Sequence, residues 1–160
     1  HPSHLKYEQS RKMPYLALMD RLRRFLTTPS AALVIIGYSF RDQHLNDVIL
    51  QSLQGTPSSV AFALMFGPLS SNDNGTVIAK NRANLSLIAE NGAIIGTKET
   101  IWKEVGEKPE TSFPGTIDWT SDAGKGDSWK VRCNLGDFRS FGLFLQGMVG
   151  TKGQRRQINE

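Results

Sequence analysis

The chain has 160 residues, of which 39% are hydrophobic and 21% charged, a composition that fits a folded globular domain and excludes an intrinsically disordered one. A single cysteine excludes an internal disulfide framework, and with three histidines it disfavours a structural zinc site, so we expect no metal. The net charge is +4, but the basic residues are spread along the chain, which favours solvated helix faces over nucleic-acid binding.

The start of the sequence and its apolar content bear on location. No apolar run approaches the roughly 18 residues of a membrane-spanning helix, so we expect no membrane insertion. The chain opens on His1 without an initiator Met or the pattern of a signal peptide, which indicates a chain that was trimmed or starts inside a longer parent. The lone cysteine makes a reducing cytoplasm the simplest location.

The first half of the chain predicts helices alternating with strands. Apolar residues at spacings of three and four predict a helix over 14–27, with Pro14 in its first turn. The apolar run 31–36 predicts a buried strand that Gly37 ends. Asp42 is placed to cap a second helix that stops near residue 55, and 60–66 predicts a second buried strand.

The alternation continues to about residue 106. Short apolar runs predict a helix over 76–82 and strands over 85–88 and 93–95, and Thr97 is placed to cap a helix through Trp102 and Val105. This order predicts an α/β fold, with a doubly wound, partial Rossmann-like parallel sheet flanked by helices. We therefore assign residues 1–106 to one domain.

The remaining segment, 107–160, has a different composition. Proline and glycine among polar residues predict a loop or covering arm over 106–126. Apolar residues then return, and Leu143, Phe144 and Met148 predict a terminal helix that packs on the sheet. This segment is expected to serve in packing or assembly.

The junction over residues 33–46 is the most informative part of the chain for function. A buried strand ends in Gly37, Ser39 follows, and a helix begins near Asp42. In open α/β sheets, phosphates and riboses bind at this kind of junction, beside backbone N–H groups and a helix N-terminus. The same pattern is also typical of an ordinary strand-to-helix turn, so the spacing alone leaves both interpretations open.

Residues 35–46, with the sequence IIGYSFRDQHLN, resemble the GYSF-x-D-x-H-x-N motif of bacterial sirtuin-like proteins, which are NAD-consuming relatives of protein deacylases. Residues 2–8 and 11–15 look like the segment that precedes this strand in those proteins. Residues 91–99 look like their last strand and adenine-side loop. The resemblance covers roughly the first two thirds of the chain, and the GYSF word is its specific part.

The resemblance implies which residues contact NAD. The first three motif residues match the sirtuin Gly-Thr-Ser position at the ribose and phosphates, and the end of the second strand matches the adenosine side, where this chain lacks the sirtuin Asn. The expected NAD-binding residues are Gly37, Tyr38, Ser39, Asp42, His44, Asn46, Phe66, Gly67, Gly96 and Thr97.

The resemblance also implies a function. Members hydrolyse NAD to nicotinamide and ADP-ribose, mostly in anti-phage defence, and some work with a HerA-type hexameric ATPase. Their catalytic Asn and His lie upstream of the matched region, so no catalytic residue is assigned to this chain. It is expected to be the C-terminal half of a sirtuin-like NAD hydrolase, to act with the upstream half of the same protein, and to form a homo-oligomer.

Two other interpretations stay open at this point. One is a sensor that binds NAD or ADP-ribose without chemistry. The other is an assembly module whose aromatic C-terminal region docks onto an ATPase or another protomer. Within the motif, His44 opens a helix, which favours a structural hydrogen bond over a role as general base. Ser39 has no local base, which disfavours a serine nucleophile, and Cys133 is expected to be a packed small residue.

Overall fold

The computed structural model describes the backbone of residues 3–110, 115–121 and 128–154, and the side chains of 13–110, 115–121 and 128–150. The described residues form a mixed α/β fold with a five-stranded sheet and a separate two-stranded hairpin. The helices are α1 Ser3–Leu26, α2 Gln43–Gly55, α3 Asn74–Ala79 and α4 Phe138–Gln154. The strands are β1 Ala32–Ile36, β2 Val60–Leu64, β3 Leu85–Ile88, β4 Gly92–Ile95, β5 Lys98–Ile101, β6 Ile117–Ser121 and β7 Trp129–Cys133.

The first strands and helices follow the predicted alternation, with one difference at the start. Helix α1 begins at Ser3, so Pro14 lies inside it and not in its first turn. Proline has no backbone N–H, so this helix forgoes one main-chain hydrogen bond at that point. None of the helices in the described part of the chain is long and apolar enough to cross a membrane.

The large sheet has the simple order β1-β2-β3-β4-β5. Strands β1, β2 and β3 are parallel, with Val34 beside Phe62 and Phe62 beside Ser86. The prediction of a parallel sheet is therefore confirmed for these three strands. It is wrong beyond them, because β4 and β5 run antiparallel to their neighbours.

The prediction of a helix after Thr97 is also wrong, because this segment begins with strand β5. Gly96 and Thr97 form a two-residue turn between Ile95 and Lys98, which pair across a tight hairpin. Both turn residues have positive φ, 55° and 72°, as hairpin turns of the primed types require. The structure of this segment is therefore determined by a local turn, and Trp102 and Val105, which suggested a helix, lie beyond strand β5.

Helices cover one face of the parallel strands, which we call the closed face. It carries Leu33, Ile35, Ala61, Ala63, Leu85 and Leu87, the side chains that alternate toward the helices. They share one buried cluster with Leu26 from α1, Leu53 from α2 and Ala79 from α3. All three helices thus lie on the same face, and for α2 and α3 this is what successive right-handed crossovers between neighbouring parallel strands require.

The opposite face, which we call the open face, is apolar but only partly covered in the described residues. Val34 and Phe62 are neighbours on it and remain 49% and 38% exposed. A strand buried on both faces would leave neither side chain in water. The doubly wound arrangement, with helices on both faces, is therefore not what these residues form.

The C-terminal segment attaches at the carboxyl end of the parallel strands. The N–H of Cys133, in β7, donates to the carbonyl of Glu90, and the Arg132 guanidinium lies 2.9 Å from the Glu90 carboxylate. Strand β6 lies inside the stretch expected to be a loop or arm, where residues 111–114 and 122–127 are outside the described part. The terminal helix is confirmed as α4, but Leu143 and Met148 are about half exposed, so the expected burial on the sheet is wrong for them.

Candidate functional site

A cavity of about 210 Å³ opens at the carboxyl ends of β1 and β2. We call it the β1–β2 cleft. It is lined by Gly37, Tyr38, Ser39, Leu64, Met65, Phe66 and Asp73. Two loops therefore form it, one that follows β1 and one that follows β2, as is usual for ligand sites of open α/β sheets. Four of the ten residues expected from the sequence lie in this lining: Gly37, Tyr38, Ser39 and Phe66.

The loop after β1 presents its backbone to the cleft. Gly37 has a φ of 69°, which glycine adopts without strain, and a methyl group built at its Cα would have no neighbour within 4 Å. Ser39 is exposed beside it. A ligand can therefore approach the main chain closely at Gly37 and reach a hydroxyl two residues later.

Phe40 holds this loop to the rest of the fold. Its ring is 99% buried and lies 4.8 Å from the Tyr38 ring, centroid to centroid. Its φ of 55° is left-handed, a conformation that a residue with a side chain adopts only when its surroundings impose it. The amides of Asn46 and Asn74 impose it, because both donate to the Phe40 carbonyl, at 2.9 and 3.2 Å.

Two more motif side chains, those of Tyr38 and Asn46, stabilise the loop, although Tyr38 also lines the cleft. The Tyr38 hydroxyl lies 2.7 Å from Asn46 Oδ1 and 2.9 Å from the carbonyl oxygen of Asp42, and it shares its single proton between these two acceptors. Burial raises the pKa of Tyr38, so its hydroxyl keeps the proton that these bonds need. Asn46 thus accepts from Tyr38 and donates to Phe40, which gives it a structural role inside the expected binding motif.

Asp42 caps helix α2, as the sequence predicts. Its carboxylate accepts the N–H of Leu45 at 3.1 Å and the hydroxyl of Tyr15, from α1, at 3.1 Å. The hydrogen bond from the Leu45 N–H lowers the pKa of Asp42, and the Tyr15 bond acts in the same direction. A carboxylate therefore already occupies the N-terminus of α2, where the sequence suggested that a phosphate would bind.

We expect Asp42→Ala to lower the melting temperature at neutral pH and to have a smaller effect in acid. The folded-state pKa of Asp42 lies below its usual 3.8, so its contribution is present above that value and is lost as the pH falls through the lowered pKa. Asp42→Asn keeps a capping oxygen without the charge and is the matched control. Melting curves from neutral pH to below 3.8 test this, and a temperature difference that stays constant with pH would contradict it.

His44 lies away from the cleft. It is exposed on α2 and lines a second, larger cavity of about 900 Å³ between α1 and α2, together with Asp20 and Asp47. The structure therefore does not bring His44 together with Ser39 in one cavity. His44 was among the residues that the sequence predicted to bind NAD, and it does not line the cleft.

Gly96 and Thr97 lie at the amino end of the parallel strands, opposite the end where the cleft opens. Ile94 in β4 faces Leu87 in β3 and runs antiparallel to it, so the turn after β4 is at the amino end of the parallel strands. The cleft is at their carboxyl end, roughly four residues of strand, or about 13 Å, away. The structure therefore does not bring these two residues together with Gly37 and Ser39.

The end of β2 contributes to the cleft in a way that the sequence only partly indicated. Phe66 is 81% exposed at the cleft, an unusual position for a large aromatic ring. Gly67, with a φ of 86°, turns the chain away, and its carbonyl accepts the N–H of Glu90. Leu64, Met65 and Asp73 also line the cleft but lie outside the sirtuin-like motif, and no spacing in the sequence singles them out.

No protein-family model matches the chain, and no curated protein matches it either. The chemistry of the cleft therefore has to be argued from its own groups. These are an open backbone at Gly37, a hydroxyl at Ser39, an exposed ring at Phe66 and a carboxylate at Asp73.

Proposed function

We propose that the β1–β2 cleft binds NAD, and that the chain is part of a sirtuin-like NAD hydrolase that cleaves NAD to nicotinamide and ADP-ribose. The observation that carries this proposal is the convergence of Gly37, Ser39 and Phe66 on one cavity at the carboxyl ends of adjacent parallel strands. Open α/β sheets bind nucleotides at this edge. The sirtuin-like motif at the same position adds the choice of NAD among nucleotides.

Each part of the cleft suits a different part of the ligand. The backbone at Gly37 and the hydroxyl of Ser39 are hydrogen-bond donors for phosphate oxygens. The exposed ring of Phe66 offers a flat apolar surface for a base, and stacking on an aromatic side chain contributes about 1–3 kcal/mol per base. These assignments place the adenosine half of NAD toward the loop after β2.

The size of the cleft supports a divided site. Its volume of about 210 Å³ is below the roughly 300–1,000 Å³ typical of pockets that enclose a whole ligand. The open face of the sheet leaves Val34 and Phe62 49% and 38% exposed. A doubly wound sheet has a second half, wound in the opposite direction, and ligands bind where the halves meet.

We accordingly propose that the upstream half of the same protein pairs with the free edge of β1 and covers the open face. That half supplies the remaining wall of the site and the groups that perform the chemistry. Within the described residues, the titratable side chains of the cleft are Tyr38 and Asp73, and Tyr38 is held by Asn46. The proposed role of this chain is therefore to bind NAD and not to activate water.

We expect Ser39→Ala to weaken the binding of NAD and ADP-ribose to the complete protein by about tenfold or more. A hydrogen bond to a charged phosphate contributes about 1.5–3 kcal/mol, and each 1.4 kcal/mol is a factor of about ten in affinity. The substitution removes an exposed hydroxyl, so the melting temperature should not change. Isothermal titration calorimetry measures the affinity.

Thr97→Gly is the control for this experiment. It changes another residue that the sequence predicted to bind NAD, but this residue lies at the amino end of the parallel strands, away from the cleft. Glycine accepts the positive φ of the turn at position 97. It should leave NAD affinity unchanged. Equal affinities for the wild type and Ser39→Ala, or a loss of binding in Thr97→Gly alone, would overturn the placement of NAD in the cleft.

A further inference from the structure

The cavity of about 900 Å³ between α1 and α2, which we call the α1–α2 groove, is lined in large part by apolar side chains. Met13, Leu16 and Met19 of α1 and Val48 of α2 form this apolar part. Met13 and Leu16 are more than half exposed, although they lie together in one groove. Large apolar side chains that remain side by side in water mark a surface that binds another molecule.

The rim of the α1–α2 groove is acidic on a chain that is basic as a whole. Asp20, Arg23, His44 and Asp47 are its charged or titratable side chains besides Tyr15. Arg23 lies 3.9 Å from the Asp20 carboxylate and offsets its charge, whereas Asp47 forms no ion pair in the ranges that the structure describes. With His44 neutral at pH 7, Asp47 carries the excess charge of the rim, against +4 for the chain. The groove therefore suits an apolar segment that carries a basic side chain.

Helix α4 presents such a surface. Phe138, Leu145 and Val149 are exposed, and their spacing of seven and four residues places them within about 40° of one another around the helix. We call these three residues the α4 stripe. Arg139 is exposed next to Phe138, and the helix contains two basic residues and no acidic one. The nearest acid, Asp137, precedes α4 and caps it by accepting an N–H of its first turn.

The groove and the stripe also match in length. The groove follows α1 from Met13 to Arg23, which is about 15 Å of helix, and the stripe extends from Phe138 to Val149, about 17 Å. No residue of α4 is among those that line the groove within one chain, as far as the structure describes it. One molecule therefore carries both surfaces without joining them.

We propose that the α1–α2 groove of one copy binds the α4 stripe of a second copy of this chain, with Arg139 facing Asp47. A helix that places its apolar side in a groove between two other helices is a common mode of protein recognition. Because each copy carries both surfaces, the contact forms twice in a closed dimer, or once per copy in a ring.

The first test measures the association of the complete protein by sedimentation velocity over a range of concentrations. We expect the wild type to associate, and Leu145→Asp to raise the dissociation constant at least about tenfold, because a carboxylate would be buried in the apolar groove. Leu143→Asp is the matched control. Leu143 is 48% exposed and Leu145 is 45% exposed, but Leu143 lies about 160° away around the helix, so this variant should associate like the wild type.

An exchange of charges tests which surfaces meet. Asp47→Arg and Arg139→Asp should each weaken association by about tenfold, because each places like charges opposite one another. The double variant should restore association, since opposite charges then face each other again. Both positions are exposed, and the melting temperature of each variant shows that it is folded.

Three results would overturn the inference. The first is a wild type that is monomeric at every concentration, and the second is an equal effect of Leu145→Asp and Leu143→Asp. The third is a double variant that remains as dissociated as the two single ones, because Asp47 and Arg139 then do not face each other. None of these measurements involves NAD, so each of these results leaves the proposed function standing.

Discussion

Phe40→Ala is expected to lower the free energy of unfolding by about 3–5 kcal/mol, the usual loss when a buried phenylalanine is truncated. The ring is 1% exposed and fills the space between Tyr38, Gly75 and Leu87. Its removal leaves a cavity where the two loops of the cleft join. Urea unfolding followed by circular dichroism measures the change.

Phe66→Ala is the matched variant, because it removes the same ring from a position 81% exposed. It should change the free energy of unfolding by no more than about 0.5 kcal/mol, as surface substitutions usually do. It should nevertheless weaken NAD binding by about tenfold, because the stacking surface is lost. The account of both rings would be contradicted if Phe66→Ala unfolded the protein, or if Phe40→Ala left its stability unchanged.

Gly136→Ala is the second substitution with a large expected effect. Gly136 lies just before α4, and a Cβ at this position would overlap the carbonyl oxygen of Met65 at the end of β2. Backbone atoms cannot move aside as a flexible side chain does, so we expect the free energy of unfolding to fall by about 1–3 kcal/mol. Because Met65 lines the cleft, the displacement should also weaken NAD binding.

Gly142→Ala is its control within helix α4. A Cβ at Gly142 has no neighbour within 4 Å, and alanine is the better helix former, so this variant should gain about 0.5–1 kcal/mol. Thermal and urea unfolding of both variants measure the difference. If Gly136→Ala is as stable as Gly142→Ala, the start of α4 does not pack on the end of β2 in solution.

The sequence was most informative where a structure depends on its own local residues. The apolar runs before Gly37 and Gly67 identified two parallel strands, because such runs are too short for a helix and too apolar for a loop. Asp42 was identified as a cap because capping needs only a residue and the turn that follows it. These elements form the edge of the sheet where the cleft lies.

The predictions failed where the strand that pairs with a segment is distant in the sequence, and where a turn determines whether a segment is a helix or a strand. Gly96 and Thr97 form a two-residue hairpin turn after the apolar run 93–95, but the Thr was interpreted as a helix cap. Strand β6 was missed because its pairing with β7 lies across a polar stretch. The pairing register and the hairpin turns determine where these strands form, and the periodicity within one segment does not contain that information.

For the candidate site, the motif identified a loop that lines the cleft but not the direction of each side chain. Ser39 lines the cleft, whereas Asp42 and Asn46, from the same motif, hold the loop and the helix. Asp73 had no sequence signal, because the carboxyl ends of β1 and β2 bring it beside Ser39 from 34 residues along the chain. Residues such as Ser39 and Asp73 become neighbours through the order of the strands in the sheet, and the sequence predicted that order only in part.

The most direct test of the proposed function is NAD consumption by the complete protein, measured as nicotinamide release alongside its Ser39→Ala variant and this 160-residue chain alone. We predict that the complete protein releases nicotinamide, that Ser39→Ala is severely impaired, and that the chain alone is inactive, because the catalytic groups are proposed to belong to the upstream half. If the complete protein never consumes NAD, even with a HerA-type ATPase added and under conditions that mimic infection, the proposed NAD hydrolase function is wrong.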